Sequence, residues 1–220
     1  KQVLMVGPME MQARDEFHNG HCVIAFIGSY DPVSHLFTRE RVQLMDEGID
    51  FYATQTTLAP DGRRIMTAWM QSWSSSGAKP QGCRWFGQTI CPRELHLKDG
   101  RLYQTPVREL DAAHGPKVRH ENALIEGETR LEGIGGRVID LTAEITPEEN
   151  CHAVTLKLAA DEKHFTTLTY EPRSAKLTLD RTYAGGLYQD IVHTRSCKIR
   201  TPGKTLKLRV LLDYNSVEVF

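Results

Sequence analysis

Two carboxyl groups on opposite sides of a glycosidic bond, one a nucleophile or base and the other a proton donor, are the usual equipment for acetal hydrolysis. Among the 28 Asp and Glu residues, Asp50 and Glu94 stand out because each lies beside aromatic or strand-like sequence. The plainer use of each is structural. Asp50 would bond backbone at a strand start, and Glu94 would pair with Arg93 or a neighbour. No pair of carboxylates shows an obvious division of labour. The nine histidines are scattered singly and form neither H-E-x-x-H nor a Cys/His ligand set, which predicts no metal site and no cofactor. No G-x-S-x-G is present, and the serines between 72 and 76 read as a polar loop around Trp73. Cys22, Cys83, Cys91, Cys151 and Cys197 are odd in number and form no C-x-x-C pair, so free thiols are expected.

The aromatic residues are more informative. Tyr52, Trp69, Trp73, Trp85 and Phe86 fall within 35 positions, and all three tryptophans are among them. Flat aromatic faces suit the C–H faces of sugar rings, and a phenol hydrogen-bonds hydroxyls. Core packing is the ordinary fate of a single tryptophan, and Trp69, inside an apolar run, is assigned to it. Trp73, among Gln71, Ser72 and Ser74 just past that run, is the better ligand contact.

The elements that must position these residues are strands. Residues 3–6, 22–27, 64–70 and 88–91 are short runs bounded by Gly, Pro, Asp or Ser. Asp61-Gly62 and Asp99-Gly100 each sit between apolar runs, a strong hairpin cue. Thr105, Pro106 and Glu109 suit a helix start, with Val107, Leu110 and Ala113 at helical spacing and Gly115-Pro116 as a stop. This predicts a short linker helix over 105–116. Beyond it, 138–145, 154–158, 176–180 and 206–211 alternate apolar with polar, as the strands of an antiparallel β-sandwich do. The sequence predicts an all-β fold.

Composition limits the partners. Lys and Arg total 27 against 28 Asp and Glu, so nothing pulls the chain toward nucleic acid or an anionic membrane. No apolar run reaches the roughly 20 residues of a membrane span. A neutral, small carbohydrate fits this balance. The first residues lack an initiator Met and a secretory apolar region, and Phe220 falls inside an apolar alternation, so both ends are expected to be cut points.

The stretch Asp50-Phe51-Tyr52-Ala53-Thr54-Gln55-Thr56 resembles a signature of glycoside hydrolase family 32. The resemblance continues in order through Asp61-Gly62-Arg63-Arg64-Ile65, Ala68-Trp69-Met70-Gln71-Ser72-Trp73 and Pro92-Arg93-Glu94-Leu95. It goes on through Asp99-Gly100-Arg101-Leu102-Tyr103-Gln104 and Pro106-Val107-Arg108-Glu109-Leu110. Leu211-Leu212-Asp213 and Ser216-Val217-Glu218-Val219-Phe220 resemble part of the family's second domain. His96 departs from the pattern, standing where a strand former such as Thr is expected.

The resemblance implies the last part of a five-bladed β-propeller over 1–104, a linker over 105–116 and a C-terminally truncated β-sandwich over 117–220. It implies a glycosidase that cleaves β-fructosides with retention: an Asp nucleophile in a W-M-N-D-P-N-G-type motif, a stabilising Asp in R-D-P and an acid/base Glu in E-C. None of these motifs is present. Arg14-Asp15 is followed by Glu16, and the E-C motif is expected upstream of Lys1, so no catalytic residue is assigned. Two substrate-binding positions carry over by resemblance. Tyr52 would line the fructose pocket and Trp73 would sit at its rim, with Asp50 supporting the wall.

The expected function is that of a fragment, inactive alone, of a cytoplasmic hydrolase of sucrose or sucrose 6-phosphate. A non-catalytic carbohydrate-binding module is the alternative, and fructan hydrolysis or fructosyl transfer is a third reading. An incomplete propeller exposes strand edges, so proteolysis is expected to nick 1–104 first.

Overall fold

A computed structural model describes residues 1–12, 20–77, 79, 82, 84–185, 191–199 and 203–220. Arg14, Asp15, Glu16 and Cys83, named above, lie outside them. The described elements are fourteen strands and one 3-10 helix, which gives the all-β fold that the alternation predicts. No helix among the described residues is long and apolar enough to cross a membrane.

The chain divides into two compact units, one of residues 1–107 with 147–202 and the other of 108–146 with 203–220. In the first unit β1 (Gln2–Val6), β2 (Ile24–Asp31) and β3 (Leu36–Leu44) form an antiparallel meander. The four-stranded sheet that follows runs through β4 (Tyr52–Leu58), β5 (Arg64–Trp69), β6 (Arg93–Lys98) and β7 (Arg101–Pro106) in chain order. Asp99 and Gly100, both at positive φ, close the β6–β7 hairpin as the Asp-Gly cue predicts. The expected strand over 88–91 is reduced to a single bridge between Thr89 and Trp69.

One core holds these two sheets together. Val23, Ala25, Ile27, Met45, Phe51, Tyr52, Met66, Ala68, Ile90 and Leu102 form a continuous buried cluster. Cys22, Ile24 and Leu44 cluster separately, so the start of β2 is apolar on both faces. Polar side chains complete the seam. The Gln43 amide donates to Leu102 O (2.6 Å) and accepts from Leu102 N–H (3.1 Å), standing in for a ladder partner on β7. Arg93 donates to Asp46 Oδ2 (2.8 Å) and Gln104 Oε1 (3.1 Å) and lies over the Phe51 ring.

The same unit holds a second four-stranded meander: β9 (Val154–Leu158), β10 (Thr166–Glu171), β11 (Lys176–Asp180) and β12 (Thr194–Lys198). In the other unit β8 (Ile139–Ile145), β13 (Leu206–Leu212) and β14 (Val217–Val219) pair in the order β14-β13-β8.

The helix expected over 105–116 is shorter and tighter, a 3-10 helix at Arg108–Ala113 with no buried residue. Pro106 does not open it. Pro106 is buried at the end of β7 opposite Arg93, a place that tolerates a residue without an N–H. In this unit Arg209 grips Asp140 with two bonds (Nε–Oδ1 3.0 Å, Nη2–Oδ2 2.6 Å) and also reaches Asp111 of the 3-10 helix. His114 Nε2 lies 2.7 Å from the same carboxylate. The Arg209 bonds, then that of His114, hold the Asp140 carboxyl below its ordinary range.

Candidate functional site

The candidate site gathers at the start of β4. Tyr52 is its first residue, 7% exposed, and its hydroxyl donates to Gly7 O at 2.8 Å. The His21 ring meets the Tyr52 ring edge-on at 6.3 Å between centroids. Immediately after Tyr52 the pairing with β5 slips: Tyr52 opposes Trp69, but the next partners are Gln55 and Thr67. Ala53 lies inside this bulge at φ 51°, a left-handed conformation that disfavours a residue with a Cβ. Bulges of this kind re-aim the neighbouring side chain and cluster at functional sites.

Trp69, opposite Tyr52, is half-buried and packs against the main core, as its place in an apolar run predicts. Its Nε1–H donates to Gln71 Oε1 at 3.0 Å. Trp73 packs edge-on against Trp69, ring centroids 5.6 Å apart, while 55% of its surface remains open. Gly87 passes so close that an added Cβ would stand 3.3 Å from both Trp69 Nε1 and Gln71 Oε1. This brings the segment holding Trp85 (58% exposed) and Phe86 beside the same pair. Trp69 therefore links Tyr52 to Trp73; Tyr52 is buried and Trp73 presents its face outward.

Asp50 enters the strand two residues before Tyr52. One carboxylate oxygen accepts from Ser75 Oγ (2.8 Å) and the other from Arg181 Nη1 (2.5 Å). Ser75 Oγ in turn accepts the Ser72 N–H at 3.1 Å, so the serine loop is a buried bracket rather than a loose polar turn. Glu94 is elsewhere, beside Arg63 Nη1 at 2.8 Å. Each carboxylate is held by an arginine, Asp50 by Arg181 and Glu94 by Arg63, which is the structural use the sequence suggests for both. Sequence reasoning passed over Arg181, His21 and Gly7, which no local signal marks because each meets the site from a distant stretch of chain, and it took Ser75 only as part of a polar loop.

Among the described residues no group of His, Cys, Asp and Glu is placed to hold a metal ion. Cys22, Cys91, Cys151 and Cys197 form no disulfide with one another, and burial pushes the Cys22 thiol up. A cavity of about 380 Å³ lined by Lys1, Ile27, Glu40, Arg41, Asp99 and Gly100 shares no residue with the aromatic site.

The site thus gathers aromatic side chains of graded exposure at one end of the four-stranded β4–β7 sheet. Residues 1–106 match the N-terminal domain of glycosyl hydrolases family 32, and residues 109–220 match that family's C-terminal domain. The chain belongs to glycoside hydrolase family 32. It is 32% identical over 230 residues to the sucrose-6-phosphate hydrolase of Zymomonas mobilis, an alignment covering all of this chain and 42% of that protein. It is 31% identical over 212 residues to the levanase of Bacillus subtilis, covering 89% of this chain and 31% of the levanase.

Among solved structures, a Bombyx mori family 32 β-fructofuranosidase in complex with sucrose superposes with a TM-score of 0.73 at 24% identity, covering 99% of this chain and 44% of that one. The sucrose-6-phosphate hydrolase of Lactobacillus gasseri superposes at 0.69 and 24%, covering 91% and 41%. These likenesses show the fold, propeller strands followed by a sandwich. The chain spans less than half the length of each of these relatives.

Proposed function

We propose that this chain is part of a retaining glycoside hydrolase that cleaves the β-fructosidic bond of sucrose or sucrose 6-phosphate. Residues 1–104 would supply part of the catalytic propeller, 105–116 the linker and 117–220 the sandwich. Tyr52 would line the fructose pocket and Trp73 its rim. The observation that carries this reading is the strained bulge that follows Tyr52, which stands opposite Trp69 on β5, in a chain of family 32.

In the whole enzyme an Asp nucleophile would form a covalent fructosyl-enzyme, released by water with a Glu acting first as acid and then as base. Those carboxylates are not among these 220 residues, since none of the three motifs occurs in them. The 220 residues would therefore not hydrolyse sucrose by themselves. The names of the sucrose-6-phosphate hydrolase relatives support a phosphorylated substrate, and a cytoplasmic setting goes with that reading. Balanced charge supports a small carbohydrate as partner, with neither nucleic acid nor membrane involved.

The open faces of Trp73 and Trp85 favour one second reading, a non-catalytic carbohydrate-binding module. The experiment is to incubate the purified chain with sucrose and with sucrose 6-phosphate, and to titrate the same sugars against tryptophan fluorescence. No fructose release is expected. Sustained release would overturn the placing of the carboxylates outside the chain, and a saturable fluorescence change without release would favour the binding module.

A further inference from the structure

Arg181 comes from the stretch matched by the family's C-terminal domain, yet its side chain ends on Asp50, 131 positions earlier. Two features prepare it for this. Its backbone N–H donates to His193 O at 3.0 Å, continuing the β11–β12 pairing past Asp180. Its Nε and Nη2 both donate to Val192 O, at 3.3 and 3.0 Å. The guanidinium is thus fixed in its own sheet before it reaches the carboxylate, and less side-chain freedom is lost in making the bond. Ser75 holds the other Asp50 oxygen. The carboxylate is gripped from both sides, and three residues later the chain enters the strained bulge at Ala53.

We infer that Arg181 is a positioning residue, which with Ser75 fixes Asp50 and thereby the bulged start of β4 that presents Tyr52. The consequence for sugar binding rests on the proposed role of Tyr52; the brace itself does not.

A second cation makes the brace asymmetric. Arg195 opposes Leu179 in the β11–β12 register, two residues along from His193, and so shares a sheet face with Arg181. Its Nε is buried without a hydrogen-bond partner. Burial pulls its pKa down, the Asp50 charge works against that pull, and the Arg181 charge adds to it. The Asp50 charge therefore acts on both guanidinium groups. Removing Asp50 leaves their mutual repulsion uncompensated, whereas removing Arg181 leaves Asp50 with Ser75 and the field of Arg195.

Hydrogen exchange on the 220-residue chain tests this. In Arg181→Met the amides of residues 51–54 should exchange about ten-fold faster, with those of the β6–β7 hairpin unchanged. Asp50→Asn should accelerate the same amides more than Arg181→Met does. Arg181→Lys, which keeps the charge but loses the fork, should fall between Arg181→Met and the parent and guards against a methionine variant that does not fold. Equal acceleration at both places would mean general destabilisation and would overturn the inference, as would unchanged exchange at 51–54 in Arg181→Lys and Arg181→Met. The readout holds whether or not Tyr52 touches sugar, so failure of the brace and failure of the sugar reading give different results.

Discussion

Glu94 illustrates at residue scale how a carboxylate with the sequence setting of a catalytic group becomes part of the scaffold. It is 4% exposed, and Arg63 reaches it from the turn before β5, with Nε of the same guanidinium on Asp61 at 2.6 Å. Arg93, the neighbour that sequence suggested as its partner, donates to Asp46. The pair joins the Asp-Gly-Arg-Arg and Pro-Arg-Glu-Leu stretches across 31 positions. Burying a charge is tolerable only while its partner stays. Arg63→Met should therefore cost about 3 kcal/mol in urea unfolding, and Arg63→Met with Glu94→Leu should cost less than the single change. A single variant as stable as the parent would show that Glu94 does not depend on Arg63.

Elements were legible where one face is apolar and the other polar. β8, β9, β11 and β13 alternate visibly and fall where the sequence predicts them. β3 and β4 carry charged residues or threonines with few buried positions, and their side chains announce no face. Their pairing comes from backbone bonds and from β2 and β5 beside them. The β2–β3 pair also slips register between Ile27 and Gly28, leaving Glu40 as the extra residue. There the β3 backbone crowds Gly28, and an added Cβ would fall 2.0 Å from Thr38 O. A backbone oxygen on a paired strand cannot rotate away, so Gly28→Ala should destabilise by about 3 kcal/mol. Gly135→Ala, where nothing lies within 4 Å, is the control and should be neutral. Equal melting temperatures for the two variants would show that the bulge yields freely.

Across the whole molecule burial is uneven. Every residue from Asp111 to Arg130 is exposed, and no strand lies between Pro106 and Ile139. Val118, Leu124 and Ile125 are among these exposed residues. Backbone without a ladder or core opens at little cost. Limited trypsin digestion should therefore cut first after Lys117, Arg119 or Arg130, which moves the expected first nick from 1–104 to this stretch. Mass spectrometry of the earliest fragments decides the matter; first cuts inside β1–β7 would restore the weaker propeller half.

The sequence by itself determined the all-β class, the hairpin at Asp99-Gly100 and membership of a β-fructosidase family. Those follow from local alternation, turn chemistry and an ordered series of short motifs, all written in neighbouring residues. It also singled out Tyr52 and Trp73 as candidate sugar contacts, Tyr52 by resemblance and Trp73 by its polar neighbours as well. Tertiary structure alone decided what Asp50 and Glu94 do. Each carboxylate takes its role from a guanidinium or hydroxyl delivered by another strand or loop, 25 to 131 positions away. Such a partner leaves no periodic trace, because an ion pair needs one residue at one point in space and nothing regular in the chain around it.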